Sequence, residues 1–147
     1  MDALARRLRH AIEGSPHVTS VAGGLHACRD GTHTRLADGR LLCWAPGPLL
    51  GGCVYAVDAE IAEQPVPRAL GRRSGLLGRE FWRLWTRAEA RAKVRDVPII
   101  VWIDTVAWTA DADLPDGPRV EVFTVEAGDL VVSYAVAELT SGGGPTD

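Results

Sequence analysis

"REFWRLWTRAEARAKVR", residues 79–95, puts an arginine at every fourth position: Arg79, Arg83, Arg87, Arg91 and Arg95. At 100° per residue, Leu77, Phe81, Leu84, Trp85, Ala88 and Ala92 share one broad apolar face. The stretch therefore reads as a long amphipathic helix, roughly residues 76–95, packed on a sheet. Trp85 falls well inside the apolar arc and Trp82 at its margin. The arginines drift about 40° per step around the opposite side. Asp96-Val97-Pro98 ends the helix, because proline lacks the amide hydrogen that the next turn needs.

The ridge has two readings. Arginines beside Trp82 suit phosphate contact combined with base stacking. Arg72 and Arg73 lie just before the expected helix start, where free amide hydrogens and the helix dipole favour anions. The candidate anion-binding set is Arg72, Arg73, Arg79, Arg83, Arg87 and Arg91. The plainer reading is a solvated helix face. Glu80 and Glu89 interrupt the positive charge, and Glu89 and Lys93 form a favourable i,i+4 pair.

Charge along the chain sharpens the choice. Net charge is -3. Residues 68–95 carry nine basic and two acidic groups, whereas residues 96–147 carry one basic and ten acidic. Either the two segments complement each other within one fold, or the middle recruits an anionic partner.

Outward from the helix, "PIIVWIDTVAW" (98–108) is apolar on both faces and is expected to be a central strand covered on both sides. "TADADLPDGP" (109–118) is an acidic turn. Asp111, Asp113 and Asp116-Gly117 miss the spacing of a calcium loop, with Pro115 in the fifth position. "RVEVFTVE" and "LVVSYAVAEL" form a hairpin around Ala127-Gly128-Asp129. The second of these strands is expected at an open edge, where it could pair with another copy. "TSGGGPTD" is a frayed tail.

Before the helix, Asp2 caps a helix over residues 3–13, with Leu4, Leu8 and Ile12 on one stripe. "HVTSVA" (17–22) is a short strand broken by Gly23-Gly24. Residues 25–28 can continue its pairing. In "THTRLADGRLLCW" (32–44), Asp38-Gly39 reads as a two-residue hairpin turn. That register pairs Leu36 with Leu41 and Thr34 with Cys43, placing His33 and Cys43 on opposite faces. "CVYAVDAEIA" (53–62) is a strand with Cys53, Tyr55, Val57, Ala59 and Ile61 on one face. Val54, Ala56, Asp58 and Glu60 take the other. "EQPVPRALGRRSG" (63–75) is a connection. The fold class is α+β: a single domain over residues 1–139 and a tail over 140–147. Its mostly antiparallel sheet carries an N-terminal helix and the long amphipathic helix.

Asp58 and Glu60, two carboxylates on one strand face, have the spacing to share a Mg²⁺ ion through oxygen ligands. Helix, three strands, helix, strand is similar to the core order of the restriction-endonuclease-like nucleases, including the nuclease-related domains. Those families place an acid in the second strand and acid-x-Lys in the third. "VDAEIAE" offers Asp58-Ala59-Glu60, with glutamate in the lysine's place, and Asp38 stands where the earlier acid would be sought. The resemblance implies catalytic roles for Asp58 and Glu60. The plainer reading is two solvated carboxylates.

His26, Cys28, His33, Cys43 and Cys53 cluster in sequence, but no Cys-x-x-Cys knuckle exists, so no metal and no cofactor is expected. Three cysteines, an odd number, argue against a disulfide framework. The N-terminus lacks an uninterrupted apolar stretch, which excludes a secretory signal and favours the cytoplasm. No apolar run is long enough to span a bilayer. The sequence does not decide between enzyme and non-enzyme. The leading expectation is an interaction or accessory domain offering its arginine face to a nucleic acid or an acidic protein. The alternatives are a metal-dependent nuclease-like enzyme using Asp58 and Glu60, and a structural subunit assembling through the edge of the C-terminal hairpin.

Overall fold

The computed structural model describes residues 1–21, 28 and 30–140. Helix α1 (Ala3–Gly14) begins where the Asp2 side chain accepts the Leu4 amide at 2.8 Å. Strands β1 (Val18–Ser20), β2 (Thr32–Arg35) and β3 (Leu41–Trp44) form a small antiparallel sheet in the order β1-β3-β2. A second antiparallel sheet, ordered β4-β6-β5, joins β4 (Cys53–Ile61), β5 (Glu121–Ala127) and β6 (Leu130–Glu138). Between β4 and β5 run the helices α2 (Arg68–Ser74), α3 (Gly78–Val94) and α4 (Ile99–Thr105). The α+β class, the antiparallel sheets and the packing of the long helix on a sheet are as the sequence indicates.

The second sheet separates two apolar layers. Leu130, Val132, Tyr134 and Val136 of β6 join Val57 and Ala59 of β4 in packing against Leu4, Leu8 and Ala11 of α1. The alternate β6 residues Val131, Ala135 and Ala137 turn to the α3 side. One part of that side is built mainly from small residues: Ala56, Ala135 and Ala137 on the strands, Ala90 on the helix. The faces of β4 are those the alternation of its sequence predicts. Asp58 and Glu60 are consequently carried under α3.

Several expectations are corrected. "PIIVWIDTVAW" is not a strand: its first part is α4, followed by a 3₁₀ turn at Trp108–Ala110. A short apolar run fits a strand or a packed helix equally well by periodicity alone. Here the end of α3 decides. Asp96 takes a left-handed conformation (φ 54°), its amide donates to the Lys93 carbonyl, and the Val97 amide donates to that of Ala92. This double closure ends α3, and Pro98, at the N-cap, leads straight into α4. Only Trp102 of α4 is buried, while Ile100 and Val101 are exposed. The strand covered on both sides is instead β6, so "LVVSYAVAEL" is central and not an edge; in the hairpin, the outer strand is β5.

The first hairpin is one residue out of the expected register. His33 pairs with Cys43, and Thr34 with Leu42. The turn has three residues, not two. The Leu36 amide donates to the Arg40 carbonyl, and Gly39 takes a positive φ of 91°. A three-residue loop with glycine in that position adds a bulge and shifts every later partner by one. Leu36, Leu42 and Trp44 therefore point into the core, and His33 and Cys43 share the opposite face.

Cys43 is disulfide-bonded to Cys28, with Cα atoms 5.5 Å apart, and Cys53 is free and buried. An odd count guarantees one leftover thiol but does not forbid a pair. The cysteines thus give no argument for a reducing compartment. The presumed connection 63–75 contains α2. Gly23-Gly24, His26 and residues 141–147 lie outside the described residues. No helix among the described residues is long and apolar enough to cross a membrane.

Candidate functional site

The arginine ridge is largely engaged within the chain. Arg87 Nε donates to Asp111 Oδ1 at 2.8 Å and its Nη2 to Oδ2 at 2.8 Å, a two-pronged clamp on one carboxylate. Its remaining Nη1 reaches Thr124 Oγ1 at 3.0 Å. Arg91, only 8% exposed, pairs with the same Asp111. Arg95 pairs with Asp113 at 3.1 Å and donates to the Asp116 carbonyl. Arg79 bridges Glu63 and Glu126, and Arg73 holds Asp104 and the Ile103 carbonyl. The basic middle and the acidic C-terminal third thus complement each other inside one fold.

Of the six candidate anion-binding arginines, Arg72 and Arg83 alone have no ion pair among the described residues. Arg91 is buried, so Arg79, Arg83, Arg87 and Arg91 do not share an exposed face. Arg72 and Arg73 occupy the last turn of α2. They therefore lie at a helix C-terminus, where the dipole favours cations, and not at the positive end of α3.

The tryptophans are likewise turned inward. Trp82 is 5% exposed, and its indole N–H donates to the Gln64 carbonyl at 3.0 Å. Trp85 is only half-buried. It stacks on Phe81 with centroids 5.7 Å apart and meets Trp108 edge-on. This reverses the expected order of burial, because α3 is packed both by the sheet and by the layer of α4 and the 3₁₀ turn.

Asp111 is the pivot of the acidic turn. It sits in a left-handed conformation (φ 59°), its amide donating to the Trp108 carbonyl. Burial alone would push its pKa up, but the hydrogen bonds and charges of Arg87 and Arg91 hold it below the ordinary aspartate value. With the folded pKa lowered, the stabilisation is complete above the unfolded value and disappears as pH falls through the folded one. Wild-type protein should therefore lose stability more steeply than Asp111→Asn as the buffer is taken from about pH 5 to pH 2. Parallel urea-midpoint curves for the two proteins over that range would contradict the assignment.

The second cluster lies between β4 and α3. Asp58, Glu60 and Glu89 each present a carboxylate oxygen, and these three atoms lie within 4.8 Å of one another. Asp58 is 1% exposed. Its Oδ1 accepts hydrogen bonds from Thr34 Oγ1 at 3.0 Å and Lys93 Nζ at 2.9 Å. Lys93 also donates to the Val57 carbonyl at 3.1 Å. Glu60 accepts from Gln64 Nε2 at 2.7 Å. Burial pushes Asp58 well above the ordinary aspartate value; Lys93 opposes this and Glu89 adds to it. Glu60 is raised as well, chiefly by burial.

Sequence reasoning identified Asp58 and Glu60 but not the residues that complete the cluster. Glu89 and Lys93 read as a surface i,i+4 pair, yet both turn toward the strand. Their signal was present: they sit one helical turn apart, and the chain has no other lysine. Lys93 now stands beside Asp58, although it comes from a helix and not from the strand. Asp38 remains in its hairpin turn, bonded to Arg40 at 2.8 Å. The chain after α3 continues into α4 and a hairpin, so the element order departs from the one on which the nuclease resemblance rested.

No protein-family model, curated protein or solved structure matches the chain.

Proposed function

We propose that the chain is a small interaction domain that receives an acidic, apolar-bearing segment of a partner protein beside α2. The observation that carries this reading is a groove of about 370 Å³ lined by Val66, Arg68, Gly71, Arg72 and Leu77. Arg68 and Arg72 are exposed and have no ion pair among the described residues. Leu77, 77% exposed, lines the groove with an apolar side chain open to solvent. Two guanidinium groups beside apolar walls suit carboxylates that alternate with leucine-like side chains.

Nucleic acid fits less well. Neither Trp82 nor Trp85 forms an open stacking platform, and most of the ridge arginines are neutralised by the chain's own carboxylates. The net charge of -3 opposes long-range attraction of a polyanion. A larger cavity of about 570 Å³ lies between the start of α1 and the end of β6. Its one cation, Arg119, is already bonded to Asp2 and Glu121.

The test is a titration of isotopically labelled protein with an acidic, leucine-containing helical peptide and, separately, with a single-stranded oligonucleotide of equal charge. Amide shifts confined to residues 66–77 are expected with the peptide. Arg68→Gln with Arg72→Gln should weaken peptide binding by roughly tenfold, the scale of two exposed charge pairs. Tighter binding of the oligonucleotide, or peptide shifts that ignore the double substitution, would reject the reading.

A further inference from the structure

We propose that Asp58, Glu60 and Glu89 form a binding site for a hard divalent cation of the Mg²⁺ or Mn²⁺ class. The site is independent of the α2 groove. Its first support is convergence: β4 supplies two carboxylates from one face, α3 supplies the third, and their oxygens approach within 4.8 Å. Acidic groups gather on protein surfaces without any ligand, so convergence alone decides nothing.

The second support is an unpartnered atom. Asp58 is 1% exposed, and its Oδ2 is buried with no hydrogen-bond partner among the described residues. Thr34 and Lys93 both bond to the other oxygen, Oδ1. A buried carboxylate oxygen without a donor is costly, and native proteins seldom leave one so. A cation held among the three carboxylates would supply that missing partner.

Charge balance points the same way. When all three are ionised, as cation binding requires, the carboxylates face one ammonium among the described residues, that of Lys93, and exceed it by two negative charges. A divalent ion neutralises that excess. The donor set selects the ion's chemistry. All three candidate ligands are carboxylate oxygens, with no imidazole or thiolate among them, which suits Mg²⁺ or Mn²⁺ over zinc or copper. Three protein ligands leave coordination positions for water, as Mg²⁺ prefers. Glu60 and Glu89 are part-exposed, which gives the ion a route in from solvent.

The experiment is an electron-paramagnetic titration of the full chain with Mn²⁺, read as loss of the free-ion signal, with Mg²⁺ as competitor. A single Mn²⁺ bound per chain and displaced by Mg²⁺ is expected. Glu60→Gln and Glu89→Gln should each weaken binding at least about tenfold. Both positions are part-exposed, so these variants keep the fold accessible to testing even if Asp58→Asn does not, and circular dichroism verifies each. Asp116→Asn, at an exposed acid away from the cluster, should bind as the wild type does. No saturable Mn²⁺ binding, or equal weakening by Asp116→Asn and Glu89→Gln, would overturn the site.

Discussion

Trp82→Ala is expected to lower stability by about 3–5 kcal/mol, the range for removing a large buried aromatic, and Trp85→Ala by clearly less. Trp82 is 5% exposed and meets Phe81 edge-on at 4.8 Å. Its removal would open a cavity between α3 and the chain leaving β4. It would also leave the Gln64 carbonyl without its indole donor, a further cost when no water can enter. Trp85 contributes area against Phe81 and Trp108, but the residue is only half-buried. Urea unfolding of the two variants measures the difference. Equal costs, or a larger cost for Trp85, would show that the face of α3 is assigned wrongly.

That reversal illustrates what the sequence could and could not reveal. A helical wheel finds one apolar stripe, and that stripe located α3; its Phe81, Leu84, Trp85, Ala88 and Ala92 pack chiefly with α4 and Trp108. It could not show that a second side, carrying Thr86, Ala90 and Val94, meets the strands, so the buried arc is wider than the stripe. The alternation in β4 was legible because one face meets α1 and the other α3. The run 98–108 was not, because β-branched residues suit a strand until the closure at Asp96 and Val97 turns the chain into a helix. The first hairpin was found but slipped by one residue, since Asp38-Gly39 serves a two-residue or a three-residue loop equally well. That slip alone put His33 and Cys43 on opposite faces.

The candidate sites show the same limit. Asp58 and Glu60 could be grouped from their spacing in one strand. Glu89, Lys93 and Thr34 reach them only through the packing of helix on sheet and of β2 beside β4, which no local pattern encodes. The arginine period was equally plain, but its meaning depended on Asp111, more than fifteen residues away in sequence. Periodicity shows which residues share a helix face; it does not show which acids lie opposite them.

Two arginines of α3, Arg87 and Arg91, brace the fold from within. Arg87 and Arg91 have side chains only 13% and 9% exposed, and both meet Asp111. Replacing both with glutamine strands a partly buried carboxylate and shortens the packed stem of Arg91. A loss of about 3 kcal/mol is expected, at the low end for breaking a buried ion pair because Asp111 keeps some contact with water. Arg72→Gln with Arg83→Gln removes two exposed charges that have no partner among the described residues. It should change stability by no more than about 0.5 kcal/mol. The decisive measurement is side-by-side urea unfolding of these two double variants. A large loss for Arg87/Arg91 and almost none for Arg72/Arg83 is the predicted result; small and equal losses would mean that the ridge is a solvated face after all.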